Sequence, residues 1–144
     1  MLKHIPAILP PELVKILMEM GHGDRILLGD ANYPKFGCPA QCVRMEGIGI
    51  PEILDAILYL MPLDQAVEHP TILMAINPGD PYIPHIWEKY REIGRKYDPK
   101  GLREKEIPNT EFYQEGPKCY ACIATGERAL YGNIILRKGV VKEE

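Results

Sequence analysis

Apolar positions recur along the chain with helical spacing in some stretches and strand-length runs in others, and the switches between them mark the elements. Residues 12–20, Glu-Leu-Val-Lys-Ile-Leu-Met-Glu-Met, read as a helix. Pro10 and Pro11 suit its first turn, Glu12 suits the positive end of the helix dipole, and Gly21 stops it. Residues 25–30 then read as a short buried strand with a polar end at Asp30, and 42–45 as a second strand. A further helix is predicted over 51–60, with proline near its start and Pro62 just beyond its end. The apolar run 71–76 has strand length and is ended by Asn77-Pro78-Gly79-Asp80. Residues 84–97 place Ile86, Trp87, Tyr90 and Ile93 at helical spacing. Toward the C-terminus the pattern changes: 111–113, 120–124 and 134–136 read as strands with no room for helices between them. Alternating strand and helix followed by strands alone predicts an α/β fold. It is a layered domain with a mostly parallel sheet, flanking helices and an antiparallel C-terminal portion.

No repeat, low-complexity tract or linker interrupts the pattern, and 144 residues suit one domain spanning 1–144. The 14 prolines and 13 glycines are spread along the chain and punctuate elements. A net charge of −3 offers no basic surplus for nucleic acid or an anionic membrane surface. No apolar run reaches the roughly 18 residues that span a bilayer. Residues 1–6 are too quickly interrupted for a signal-peptide apolar stretch, so a cytoplasmic location is expected. There the four cysteines are expected as reduced thiols.

Those cysteines raise the first chemical question. Cys38-x3-Cys42 and Cys119-x2-Cys122 have the look of two halves of a zinc site. The second pair fits poorly, because strand periodicity over 119–124 sends Cys119 and Cys122 to opposite faces. A zinc knuckle also needs a tight turn, and this spacer holds no glycine. Free cysteines are common core residues. The expectation is no metal.

Three other places can carry chemistry. His22 stands between Gly21 and Gly23, after the first helix; a histidine changes charge near neutral pH and can serve as an acid/base group. The bland account is a helix C-cap with Gly21 left-handed and His22 at the negative end of the dipole. Asp30 ends an apolar strand, and open α/β sheets gather ligands at the carboxyl ends of their strands. It could accept bonds from a polyhydroxylated ligand or simply cap the loop 31–34 as an Asx turn. Tyr131-Gly132-Asn133 offers a phenol and a carboxamide around a glycine, suited to sugar hydroxyls or to a plain hairpin turn.

Taken in order, Met-Gly-His-Gly-Asp at 20–24, Asp-Ala-Asn-Tyr-Pro at 30–34, Glu46-Gly47, Pro62-Leu63-Asp64 and the stretch 125–139, Thr-Gly-Glu-Arg-Ala-Leu-Tyr-Gly-Asn-Ile-Ile-Leu-Arg-Lys-Gly, resemble the ribose pyranase/fucose mutarotase family. The resemblance runs from the first helix to Gly139. Gly23, Phe112-Tyr113 and Tyr131-Gly132-Asn133 are similar to the fucose branch rather than the ribose branch.

The resemblance implies a cofactor-independent isomerase that interconverts the α and β anomers of a free monosaccharide, L-fucose above all. General acid–base catalysis opens the hemiacetal and recloses it, a contribution of about 10²–10⁴-fold. It implies that His22 is the proton donor, that Tyr113 is a second proton-transfer group, and that Asp30, Asp64, Tyr131 and Asn133 hold the sugar. The bland competitors are a helix-terminal turn for Asp64 and an ordinary strand aromatic for Tyr113. The resemblance also implies a homo-oligomer, often ring-shaped, with sites near subunit contacts. One departure is Asn109, which stands where the fucose branch has an arginine three places before the Phe-Tyr pair; Arg103 and Lys105 are near in sequence. Competing readings are a ribose pyranase-type isomerase, a sugar-binding regulatory protein without turnover, supported only by that missing arginine, and a small zinc module.

Overall fold

Each central strand carries two interleaved sets of apolar side chains, one for each face of the sheet, and this dictates a three-layer arrangement. The computed structural model describes residues 1–143. Six strands, β1 (Arg25–Gly29), β2 (Cys42–Met45), β3 (Thr71–Met74), β4 (Glu104–Ile107), β5 (Ala121–Thr125) and β6 (Ile134–Arg137), form one sheet in the order β2-β5-β1-β6-β3-β4. The pairs β1–β5, β2–β5 and β3–β4 are parallel, whereas β6 runs antiparallel to both β1 and β3. All five other strands therefore point the same way.

Ile26 and Leu28, Ala121 and Ile123, Leu73, and Ile134 and Leu136 face the larger core. There they meet Leu13, Ile16 and Leu17 of α1 (Pro11–Glu19), the apolar stripe of α2 (Ile50–Leu60), and Ile86, Trp87 and Tyr90 of α3 (His85–Tyr97). The alternate residues Leu27, Cys122, Ile135, Ile72 and Met74 face a smaller core. That face is covered by Phe112 of α4 (Asn109–Glu115) and by two short 3-10 turns at Lys35–Gly37 and Gly116–Lys118. Burial on both faces explains why these strands read as continuous apolar runs. Among the described residues no helix is long and apolar enough to cross a membrane.

The expected helices and the strands through residue 74 are present within a residue or two of their expected bounds. Residues 111–113 are a correction: they lie inside helix α4, not a strand. Pro108 has φ of −56° and leads into the first turn, and Phe112 is sequestered under the sheet. The strand of this region is β4, whose Glu104, Lys105 and Glu106 are the charged residues expected of a sheet edge. The hairpin account of Tyr131-Gly132-Asn133 also fails. β5 and β6 are not neighbours but flank β1, so the segment between them crosses over the end of the sheet.

Candidate active site

The expected site residues occupy two opposite ends of the sheet. His22 and Asp64 stand where β1 begins; Asp30, Tyr113, Tyr131 and Asn133 gather beyond or beside its carboxyl end. Five residues of β1 at about 3.3 Å each put roughly 16 Å between these groups.

At the first end, α1 closes with Met20 N–H donating to the Ile16 carbonyl. Gly21 is not the left-handed residue; its N–H donates to Asp24 Oδ2 at 2.7 Å. Gly23 takes the left-handed turn, with φ of +89°, and its N–H donates to the Lys138 carbonyl at 2.9 Å. The turn thus pins His22 against the end of β6, and its imidazole Nε2 lies 2.9 Å from Asp64 Oδ1. Asp64 is 1% exposed. Burial alone would raise its carboxyl, but bonds from Ala66 N–H, His22 and Arg137 Nε outweigh that and bring it down to about 2. An ionised carboxylate only accepts, so Nε2 carries the shared proton and Nδ1 is left with its lone pair in the neutral ring. Asp64 N–H in turn donates to the Arg137 carbonyl at 2.9 Å, and Arg103 donates to the carbonyls of Asp64 and Val67, each at 3.1 Å.

At the other end, Asp30 N–H donates to Asn133 Oδ1 at 2.7 Å, and Asp30 Oδ1 accepts from Asn32 N–H at 3.0 Å. The Asx turn is therefore real, and it leaves Oδ2 without a partner among the described residues. Burial, reinforced by the charge of Glu127 and opposed by the Asn32 bond, raises the Asp30 carboxyl above its ordinary value. Asp30, Tyr33, Cys38, Cys42, Thr125 and Arg128 line an open cavity of about 560 Å³. The Tyr113 ring stands 5.6 Å from Tyr33 and 5.4 Å from Phe36, both edge-on. Burial, with a smaller push from the Asp30 charge, raises its phenol, which stays a hydrogen-bond donor at neutral pH. Tyr131 has φ of +58°, and its hydroxyl donates to Asp80 Oδ2 while stacking with Tyr82 at 5.9 Å. Asn109 opens α4 at this same end, whereas Arg103 precedes β4 at the opposite end.

Two buried aromatic donors hold the Tyr131–Asn133 turn from below: Trp87 Nε1 to the Tyr131 carbonyl at 2.8 Å and Tyr90 hydroxyl to the Gly132 carbonyl at 2.6 Å. Tyr90 is fully buried. Tyr90→Phe strands the Gly132 carbonyl and is expected to lower stability by about 1–3 kcal/mol. A denaturant midpoint unchanged from the parent protein would show that the bond contributes nothing.

Sequence reasoning missed Arg137, Glu127 and Asp80, and named Arg103 only as a neighbour of the absent arginine. Arg137 ends an apolar strand as Asp30 does, so the same signal marked it. Glu127 gave no such signal: besides the N–H groups of its neighbours Arg128 and Ala129, its carboxylate accepts from Ile50 N–H, a partner that only the fold brings near. The cysteines also sit differently. Cys119 precedes β5 in the turn after Gly116–Lys118, and Cys119 and Cys122 share the smaller core rather than opposite faces. Among the described residues no group of three or more His, Cys, Asp or Glu has the geometry to hold a metal ion.

The chain is similar to known proteins over nearly all of its length. The fucose mutarotase of Homo sapiens is 44% identical over 146 residues, spanning 97% of this chain and 94% of that protein. The L-fucose mutarotase of Actinobacillus pleuropneumoniae serotype 5b (strain L20) is 39% identical over 140 residues, with 97% of each covered. The crystal structure of the fucose mutarotase from Streptococcus pneumoniae in complex with L-fucose superposes with a TM-score of 0.92 at 48% identity, covering 98% of this chain and 100% of that one. Bacillus subtilis RbsD, solved with D-ribose, shares the fold at a TM-score of 0.71 and 22% identity, covering 99% and 100%. Residues 3–141 match the RbsD / FucU transport protein family, and the chain belongs to that family.

Proposed function

We infer that this protein is an L-fucose mutarotase, an isomerase that interconverts the sugar's anomers. The observation that carries the chemistry is the His22 imidazole held at 2.9 Å by a buried, ionised Asp64 with its Nδ1 free. Full-length likeness to fucose mutarotases carries the substrate. A ribose pyranase reading has fold likeness alone behind it.

In the proposed reaction a base removes the anomeric hydroxyl proton. That electron pair forms the C1 carbonyl, the C1–O5 bond breaks, and O5 takes up a proton. Rotation about C1–C2 presents the other face, and the reverse steps close the ring. His22 is assigned proton donation, made through Nδ1 when the ring is in its imidazolium form and taken back there on reclosure while Nε2 stays on Asp64, and Tyr113 is assigned the partner role of second proton-transfer group. Asp64, buried and accepting from His22, Ala66 and Arg137, orients the imidazole and acts on the sugar through it. Asp30 Oδ2, Asn133 and Tyr131 bind sugar hydroxyls, for which a carboxylate, carboxamide and phenol supply complementary donors and acceptors. No step calls for a redox group or metal.

A monosaccharide is far shorter than the distance between His22 and Asp30. We therefore propose that the complete site is shared, the His22 end of one copy meeting the Asp30 end of another. Such a head-to-tail contact closes into a ring when the rotation allows it. Phe36, Ile83 and Leu130 are exposed around the Tyr113 and Tyr131 cluster and offer apolar surface for that contact. On this reading residues 1–144 act as one domain in a cytoplasmic homo-oligomer.

The test is magnetisation-exchange NMR between the anomers of L-fucose. The parent protein is expected to accelerate exchange, and His22→Ala and Asp30→Asn each to abolish it. Co-expressing the two variants is expected to restore part of the activity, since mixed contacts regenerate intact sites. No acceleration by the parent protein would sink the mutarotase assignment. Inactive variants that stay inactive together would return the whole site to one copy.

A further inference from the structure

Three of the four thiols meet at one point beside the Asp30 cavity, and the mechanism uses none of them. Cys122 of β5 is buried in the smaller core, and its Sγ lies 3.7 Å from Cys38 Sγ. Cys42 is its register neighbour on β2. Cys38 is half-buried and, with Asp30 and Tyr33, lines the open cavity. The fourth thiol, Cys119, is buried, pushed up to about 12 chiefly by that burial, and faces the Glu115 carbonyl instead.

We propose that Cys38 and Cys122 are an oxidation site, forming a reversible disulfide when the protein meets a hydroperoxide, and that this bond clamps the 33–38 loop against the Asp30 cavity. Thiol oxidation follows access, which Cys38 and Cys42 share because both are half-buried and line the cavity; Cys38 is the entry point because it lies in a loop close to Cys122. Its sulfur attacks the peroxide oxygen, the O–O bond breaks, and one water leaves as a sulfenic acid forms. The Cys122 sulfur, losing its proton, then attacks that sulfenic sulfur and expels a second water. Two thiols supply two electrons, and one hydrogen peroxide becomes two waters.

Geometry selects Cys38 over Cys42 as the partner. The sulfurs must close by roughly 1.7 Å to a bond of about 2.0 Å. Cys38 lies in a loop, just after the Lys35–Gly37 turn, and can make that shift. Cys42 is held in the hydrogen-bonded ladder between β2 and β5, which fixes both of its flanks.

The loop leads directly to the sugar-binding end. Tyr33 hydroxyl donates to the Gly37 carbonyl at 2.7 Å, and Tyr33 N–H donates to the Asp30 carbonyl at 3.1 Å. Its ring meets Tyr113. Gly116 packs so closely beneath that a Cβ there would lie 2.0 Å from the Gly37 carbonyl, so the shift at Cys38 is passed on to Tyr33 rather than taken up by slack at Gly37. Closing the disulfide therefore moves Tyr33, and with it Asp30 and Tyr113. The effect on sugar exchange rests on the proposed function; the cross-link does not.

The experiment treats the full chain with hydrogen peroxide, alkylates remaining thiols, and maps peptides by mass spectrometry, following L-fucose exchange in parallel. A Cys38–Cys122 peptide lighter by two hydrogens is expected, together with loss of exchange, both reversed by dithiothreitol. Cys38→Ser is expected to form no cross-link and to keep whatever exchange it had before peroxide, whereas Cys42→Ser still cross-links. A Cys42–Cys122 peptide, or Cys38 sulfinic acid without a cross-link, overturns the site. Cross-linked protein that exchanges sugar as fast as the reduced protein overturns its control of the cavity. If the reduced protein shows no exchange at all, the functional assignment fails while the peptide map still decides the cross-link.

Discussion

His22→Ala eliminates the protein-dependent exchange of L-fucose anomers while leaving the melting temperature nearly unchanged. The imidazole is half exposed and supports no core packing, so its removal takes away chemistry rather than structure. Loss of a positioned acid–base group costs on the order of 10²–10⁴-fold in rate. That range equals most of what such a group contributes, so exchange falls to the spontaneous background. Magnetisation transfer between the anomeric protons, with a thermal melt on the same sample, checks both halves. Exchange within a factor of about two of the parent protein would remove His22 from the mechanism.

Asp64→Asn strikes both activity and stability. The carboxylate receives N–H groups from His22, Arg137 and Ala66. A carboxamide turns its NH2 toward one of these donors and no longer fixes which imidazole nitrogen holds the proton. The exchange rate is expected to fall on the order of a hundredfold, mainly in kcat, because a misassigned tautomer remains in place but cannot act. Stability is expected to fall by about 2 kcal/mol, from the difference between an ordinary value of 3.8 and one of about 2. The sign follows from the direction of the shift. The folded carboxyl holds its proton less tightly than the unfolded one, so the contribution is complete above about pH 4. It disappears as the pH falls toward 2, where the unfolded chain binds the proton first. Urea unfolding at pH 6 and at pH 3 tests this: the gap between parent and variant should narrow at the lower pH. A constant gap would mean that Asp64 stabilises the fold by packing rather than by charge.

The sheet and its three larger helices were legible because their signals are local. Proline at a helix start, and apolar runs bounded by Asn-Pro-Gly-Asp, act over a few residues. β4 was not legible, since Glu104, Lys105 and Glu106 suit a strand only once Thr71–Met74 lies beside it. The seven residues of α4 were too few to show a helical period, and Glu-Phe-Tyr alternates as a strand does. For the site, family likeness pointed to His22, Asp30, Asp64, Tyr113, Tyr131 and Asn133. Their division between two ends followed only from the direction of β1. Arg103 and Glu127 act by bonding backbone groups far away in the chain, a relation that residue order does not record.

The central place of β6 bears on how the protein comes into being during synthesis. It is the last strand described, yet it alone joins β2-β5-β1 to β3-β4. A ribosome that has extruded the first 130 residues carries two half-sheets whose inner edges, β1 and β3, are both open. Neither Leu27 nor Leu73 gains its final neighbours until Ile134–Arg137 emerge. Closure is therefore a late step built from contacts distant in sequence, which slows folding and exposes strand edges to other nascent chains. A stall or frameshift before codon 134 would yield an aggregating fragment rather than a shortened enzyme.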